Sequence, residues 1–253
     1  MGDKKPDIVA GNDLPDFNPD EEYLQELKSP IYYAVQKDID IRTGGPTLID
    51  FDMQRISQRI NIILNIRTEG DIKKEDLLPP IIELSGACGH FHISEACLDT
   101  TRLYRMVHQA QPDEFTQTGE NTYRCVVHFH TLGVIPSAAK GHLNGPGILQ
   151  VALQVSANRL DASGAPVLDQ DGKPVKNSRY IYGAINPYDE LTAAQLIEVR
   201  DGKTYLRYSK DDVNIEITSP LVIKADQIVS DDTGMGWQPN DPTNPDDDII
   251  IEI

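Results

Sequence analysis

Residues 122–132 read TYRCVVHFHTL and residues 148–156 read ILQVALQVS. The reading of these two stretches decides the fold class. In the first, Tyr123, Cys125, Val127 and Phe129 share one face of an extended chain, and Arg124, His128 and His130 share the other. In the second, Leu149, Val151, Leu153 and Val155 alternate with Gln150, Ala152 and Gln154. A period of 3.6 would scatter these sets around a helix, whereas a period of two gathers each on one side of a half-buried antiparallel strand. The expectation is a mainly β protein, an antiparallel β-sandwich or barrel, with one or two short helices and extended termini.

Working outward, Ile31–Val35, Ile39–Ile41 and Leu48–Phe51 are β-rich runs broken by a Gly44-Gly45-Pro46 turn. The alternation of Ile60, Ile62, Leu64 and Ile66 predicts a strand, preceded by a helical stretch from Met53 to Ser57. Ile81–Leu84 follows Pro79-Pro80 as another strand. Residues 158–178 read as a long hairpin excursion with turns at Ser163-Gly164 and Asp171-Gly172, returning through Tyr180–Ile185. Leu196–Val199 and Thr204–Tyr208 flank Asp201-Gly202 and form the clearest hairpin, after which Val213–Ile217 and Leu221–Ile223 continue the meander. Two further helices are expected. One runs over Tyr23–Leu27, opened by Asp20-Glu21-Glu22. The other runs from Asp99 to Gln109, with Asp99 as cap, Leu98 and Leu103 as a hydrophobic staple, and Pro112 closing it.

The formal net charge of −17 is concentrated at the ends, since residues 1–26 carry eight acids against two lysines and residues 225–253 carry eight acids and no base. The domain reading follows. Residues 1–20 are expected as a disordered or extended arm, 21–229 as a β-rich core, and 230–253 as an acidic linker ending in the β-prone Ile249–Ile253. Acidic ends repel phosphate and anionic lipid, so nucleic acid and membranes are excluded as partners, and a basic protein surface is the partner they would suit. No window approaches the ~20 apolar residues that span a bilayer. Cys88, Cys97 and Cys125 form no Cys-x-x-Cys pair. An odd cysteine count fits a reducing compartment and synthesis in a cytoplasm, with Cys97 and Cys125 in the core.

The chemistry-bearing feature is a repeated tripeptide, His90-Phe91-His92 and His128-Phe129-His130. On a strand each triplet presents two imidazoles on one face and turns its phenylalanine to the other. If the two strands pair in register, four imidazoles come within cross-strand reach and could hold a transition metal such as zinc or iron, with Glu95 adding a carboxylate. The alternative for the same residues is a solvated or hydrogen-bonded strand face. His108 and His142 have no evident partner. Asp169-Gln170-Asp171-Gly172 is a hairpin turn, because no Glu completes a calcium loop.

Residues Gly86-Ala87-Cys88-Gly89-His90-Phe91-His92-Ile93-Ser94-Glu95 resemble the metal motif of cupins, over ten residues of the chain. The gap between His92 and Glu95 is one residue shorter than in that family, and its later Pro-x-Gly element with His and Asn has no counterpart. The resemblance implies a metal held at His90 and His92; joined to the paired triplets it gives a metal-dependent β-barrel enzyme with His90, His92, His128 and His130 as ligands and Glu95 as a fifth group or a general base. The His-x-His motif is also similar to that of iron-binding tips of phage tail spikes, although both triplets here lie mid-chain. No phosphate-binding glycine loop, nucleophile elbow or zinc-protease pattern occurs in the sequence. The favoured expectation is therefore a structural protein that forms homo-oligomers with other assembly subunits in a large particle, such as a phage virion or a contractile injection machine. A metal-dependent enzyme and an acidic module for a basic protein partner are the alternatives.

Overall fold

The computed structural model describes residues 23–41, 43–159, 161–207 and 212–224. The expected N-terminal arm, the acidic linker and the terminal Ile-rich strand lie outside these residues. In chain order the elements are β1 (Tyr32–Tyr33), β2 (Gln54–Arg55), β3 (Gln58–Glu69), a 3-10 turn (Lys74–Asp76), β4 (Ile81–His92), β5 (Cys97–Gln109), β6 (Phe115–Gly119), β7 (Thr122–Thr131), β8 (Leu149–Asn158), β9 (Lys176–Ile185), α1 (Tyr188–Ala194), β10 (Ile197–Arg200), β11 (Lys203–Leu206) and β12 (Asp212–Lys224).

Two sheets carry the fold, as the alternation predicts. One has six antiparallel strands in the order β10-β11-β5-β4-β8-β9, and the other has four in the order β12-β3-β7-β6. The core lies between them. Ile60, Ile62, Leu64 and Ile66 of β3 and Tyr123, Cys125, Val127 and Phe129 of β7 meet Ile82 and Leu84 of β4, Tyr104 and Met106 of β5, and Leu149, Val151, Leu153 and Val155 of β8. Each large side chain so buried contributes about 1.5–3 kcal/mol relative to exposure. All three cysteines are buried and free.

Strand β4 is buried along both faces from Ile81 to Gly89. Its outer face carries Glu83, fully buried beside Arg105 and accepting a 2.7 Å hydrogen bond from the Tyr23 hydroxyl. Tyr23 bridges to Arg105 in an extended segment, so the helix expected over Tyr23–Leu27 does not form. Its apolar residues cover the sheet, and covering it requires extended backbone.

The helix expected from Asp99 to Gln109 is strand β5. Tyr104 and Met106 face the main core while Val107 packs on the opposite side, which is period two. Asp99 does accept a backbone hydrogen bond, but from Thr101 N–H at 2.9 Å and from the Thr101 hydroxyl at 2.6 Å. This is a local turn, the other use of a capping residue. It sits where β5 carries Thr100–Arg102 against the lone Gly89 of β4. Met53–Ser57 is likewise not helical: it holds β2 and then leads, without regular structure, into β3 at Gln58.

The hairpin expected around Asp201-Gly202 forms over Ile197–Leu206, with Asp201 and Gly202 both at positive φ, the geometry of a two-residue turn between twisted strands; Tyr208 lies outside the described residues. The 158–178 excursion forms too, with Asp169 Oδ1 accepting from the amides of Asp171 and Lys173. The meander does not continue. β12 crosses to the other sheet and runs parallel to β3, with a register shift between Ile217 and Leu221. Helix α1, at Tyr188–Ala194, had no expectation in the sequence. No helix among the described residues is long and apolar enough to cross a membrane.

Candidate functional site

Both histidine triplets lie on strands, yet the strands do not pair. β4 pairs with β5 and β8, and β7 pairs with β3 and β6, so the triplets belong to different sheets. The expected four-imidazole cluster therefore does not form within the chain. Among the described residues no group of three or more His, Cys, Asp or Glu side chains could hold a metal ion.

His90 and His92, at the end of β4, are exposed. The His90 ring stands 6.0 Å from the Tyr104 ring, and His92 Nε2 lies 3.8 Å from Asp99 Oδ2, beyond hydrogen-bond range. Glu95, in the turn after β4, points to Lys203 Nζ at 2.9 Å. The hydrogen bond and charge of Lys203 hold its carboxyl below the ordinary range. Glu95 is tied to β11 and not to the imidazoles.

His128 and His130, on β7, are built into the molecule. His130 is buried, with Nδ1 2.8 Å from the Leu27 carbonyl and Nε2 3.0 Å from the Ser57 hydroxyl. A carbonyl only accepts, so Nδ1 carries the proton and Nε2 accepts from Ser57. Ser57 Oγ in turn accepts the Ile31 amide at 3.0 Å, and the His130 amide donates to Glu26 Oε1 at 3.1 Å. His130 thus pins the segment 26–31 across β7. Burial is the main reason its pKa lies below the ordinary value, and Arg55 and Arg59 reinforce it against the Leu27 hydrogen bond and Glu26.

His108 has partners that a helical reading could not supply. On β5 its Nε2 lies 2.9 Å from Glu114 Oε2, while His128 Nδ1 lies 3.5 Å from Glu114 Oε1 and His128 Nε2 lies 3.9 Å from Glu26. The two rings are 5.2 Å apart. Burial alone would raise the Glu114 carboxyl, but the Gln111 amide and the two imidazoles outweigh it and the pKa is lowered. The signal for this cluster in the sequence is the strand alternation of β5, which places His108 toward β7.

The comparisons with known proteins leave the fold description where it is. No family model matches the sequence, and no curated protein matches it. A solved structure of a "putative adhesin" from Bacteroides ovatus ATCC 8483 aligns with a TM-score of 0.38 at 8% identity, over 79% of this chain and 60% of that one. A likeness that slight carries no argument about function.

The feature that stands apart is the segment 34–53. It leaves the body through the two-stranded stem of β1 and β2, where Tyr32 pairs with Arg55 and Tyr33 with Gln54, closed by Ile56 N–H on the Ile31 carbonyl at 2.8 Å. Beyond the stem no strand forms among the described residues, so the runs expected as strands at Ile39–Ile41 and Leu48–Phe51 are not paired in a sheet. Leu48 is 87% exposed, Ile41 75%, Met53 58% and Phe51 56%, and Val35, Ile39 and Ile49 are exposed as well. An open cleft between the 140–143 loop and α1, lined by Lys140, Leu143, Ile185, Asn186, Asp189 and Ile217, has a volume of about 400 Å³ and brings no set of reactive groups together.

Proposed function

We propose that this chain is a structural subunit that associates with copies of itself into a larger assembly, and that the 34–53 arm seats one copy on the next. The observation that carries this reading is the arm's exposed apolar surface. Connections longer than about 12–15 residues without secondary structure are uncommon and usually functional. Seven exposed apolar side chains, from Val35 to Met53, on one connection exceed the scattered single hydrophobics of an ordinary surface, and apolar exposure of that kind marks an interaction site. The arm is also anchored at its root, because its stem packs through Ile31 and Tyr33 on a cluster of Ile56, Cys88, Leu98, Leu132 and Leu206. A rooted arm with an apolar tip suits subunit assembly better than small-molecule chemistry, for which it offers no titratable cluster.

Size-exclusion chromatography with light scattering tests the reading. The wild type is expected to elute as an oligomer, and the triple variant Ile41→Ser, Leu48→Ser, Phe51→Ser as a monomer with unchanged circular dichroism. A wild type that remains monomeric at the highest attainable concentration overturns it.

A further inference from the structure

The register of the stem determines what the arm can do by itself. Pairing of Tyr32 with Arg55 and Tyr33 with Gln54, if continued, sets Ile39 opposite Leu48 and Asp38 opposite Ile49. Ile39, Ile41 and Leu48 would then share one face, and Ile49 and Phe51 the other. Closing the arm into a hairpin leaves apolar side chains on both faces, with no core on either. Asp38, at a φ of 56°, moreover turns the first limb out of extended geometry. The limb Thr47–Phe51 therefore keeps its backbone unpaired while carrying a strand pattern, with Thr47, Ile49 and Phe51 on one face and Leu48 and Asp50 on the other.

Edge strands in soluble proteins are blunted with charge, proline or cover. Of the four edges of the two large sheets, β9 carries Lys176, β10 carries Glu198 and Arg200, and β12 carries Pro220 with α1 packed beside it. β6, which reads FTQTG, has neither a charge nor a proline. Its exposed Thr116 and Thr118 are β-branched, and Phe115 points into the core beside Tyr123 with ring centroids 5.5 Å apart. Thr116 lies opposite Arg124, whose Nε is buried without a hydrogen-bond partner. The edge is five residues long, as is the limb.

We infer that the Thr47–Phe51 limb of one copy adds as a strand to the β6 edge of a second copy. Main-chain hydrogen bonds supply the pairing, and side-chain alternation supplies the register. Ile49 and Phe51 extend the core side of the sheet next to Phe115, and Leu48 and Asp50 fall on the face of Thr116 and Arg124, where the charge of Asp50 is complementary. This deepens the assembly reading and rests on it.

The test mixes full-length Asp50→Cys protein with full-length Thr116→Cys protein under mild oxidation and maps cross-links by mass spectrometry. The native cysteines are buried. A disulfide between the two introduced cysteines is expected. In parallel, Thr116→Glu is expected to raise the association midpoint about tenfold, and Thr116→Lys to lower it, because opposed like charges across a strand pair repel and opposite ones attract. Val199→Glu on β10 is expected to leave it unchanged. An oligomer that persists with no such disulfide, and that responds equally to Glu and Lys at position 116, overturns strand addition at β6 and leaves self-assembly standing. A monomeric wild type overturns the assembly reading itself, and this inference with it.

Discussion

His90-Phe91-His92 and His128-Phe129-His130 are the same tripeptide on strands of similar length, and the molecule uses them in opposite ways. Phe129 is buried in the centre of the sandwich, and His130 is buried on the other face because the segment 26–31 crosses it. Phe91 is half-buried, edge-on to Tyr33 at 5.1 Å, between two exposed histidines. An alternating tripeptide specifies only which side chains share a face. What covers that face is decided by residues far away in sequence, and here by Glu26, Leu27, Ile31 and Ser57.

The sharpest way to break the comparison is to truncate both phenylalanines. Phe129→Ala removes a fully enclosed ring and is expected to cost about 3–5 kcal/mol in urea unfolding. Phe91→Ala is expected to cost about 1–2 kcal/mol, since its ring is only partly removed from water. Equal losses would show that the end of β4 is as much a part of the core as the centre of β7.

The next largest effect is expected at Gly86, the extra residue of β4 between the Ser85–Arg105 and Ala87–Tyr104 pairs. It holds φ at +84°, and a Cβ there would stand 2.7 Å from Gly147 N and from the Ile135 carbonyl. Because this bulge shifts the phase of β4, it sets which way the first triplet faces. Gly86→Ala is expected to destabilise by about 1–3 kcal/mol through overpacking against backbone that cannot move aside. A neutral substitution would mean that β4 can shed its bulge, and the His90 and His92 side chains should then change exposure.

Much of the fold was legible in the sequence, and the reason is local. β3, β7, β8, β9 and the β10–β11 hairpin announce themselves through period two and turn residues, both properties of neighbouring positions. The errors were made where a local signal had two uses. Asp99 and Leu103 fit a capped helix as well as a bulged strand, and only the partners Tyr104 and Met106 find across the sandwich decide between them. The runs at Ile39–Ile41 and Leu48–Phe51 have strand composition, but a strand also needs an edge within reach, and within the chain these runs pair with none of the described edges. The parallel return of β12 beside β3 is a tertiary choice with no mark in its own residues. The candidate site was legible only to the level of the two triplets. That they sit in different sheets depends on strand order, which alternation does not encode.

His130 should also make the stability depend on pH. Burial depresses the His130 pKa below its ordinary value of 6.5, so near neutrality the folded protein holds the ring unprotonated, and below that value the unfolded chain binds the extra proton. The stabilisation is complete above pH 6.5 and is lost progressively as pH falls toward the depressed value. Protonation would also oblige Nε2 to give up the Ser57 hydroxyl as donor, loosening the segment that leads to the arm. His130→Gln is expected to flatten the dependence of unfolding free energy on pH between 6.5 and 5, and His130→Ala to cost about 1–2 kcal/mol at pH 7.5, where the Leu27 and Ser57 partners lose their bonds. An unchanged slope in the glutamine variant would remove His130 as the titrating group. Glu114 acts in a lower window. Its depressed pKa gives stability that is present above its ordinary value of 4.5 and lost as pH falls below it.

The smallest effect is expected at the other triplet. His90 and His92 are exposed, and His92 is too far from Asp99 for a hydrogen bond. The Asp99 carboxyl is held below its ordinary range chiefly by the hydroxyl and amide of Thr101, so it keeps its position without His92. The double variant His90→Ala, His92→Ala is therefore expected to unfold within about 0.5 kcal/mol of the wild type, as surface substitutions do. The measurement should be made on the oligomer and on the arm triple variant together. A loss confined to the oligomer would place this histidine face in the contact between copies. A loss in both would mean that the end of β4 contributes to the folded chain in a way its exposure does not account for.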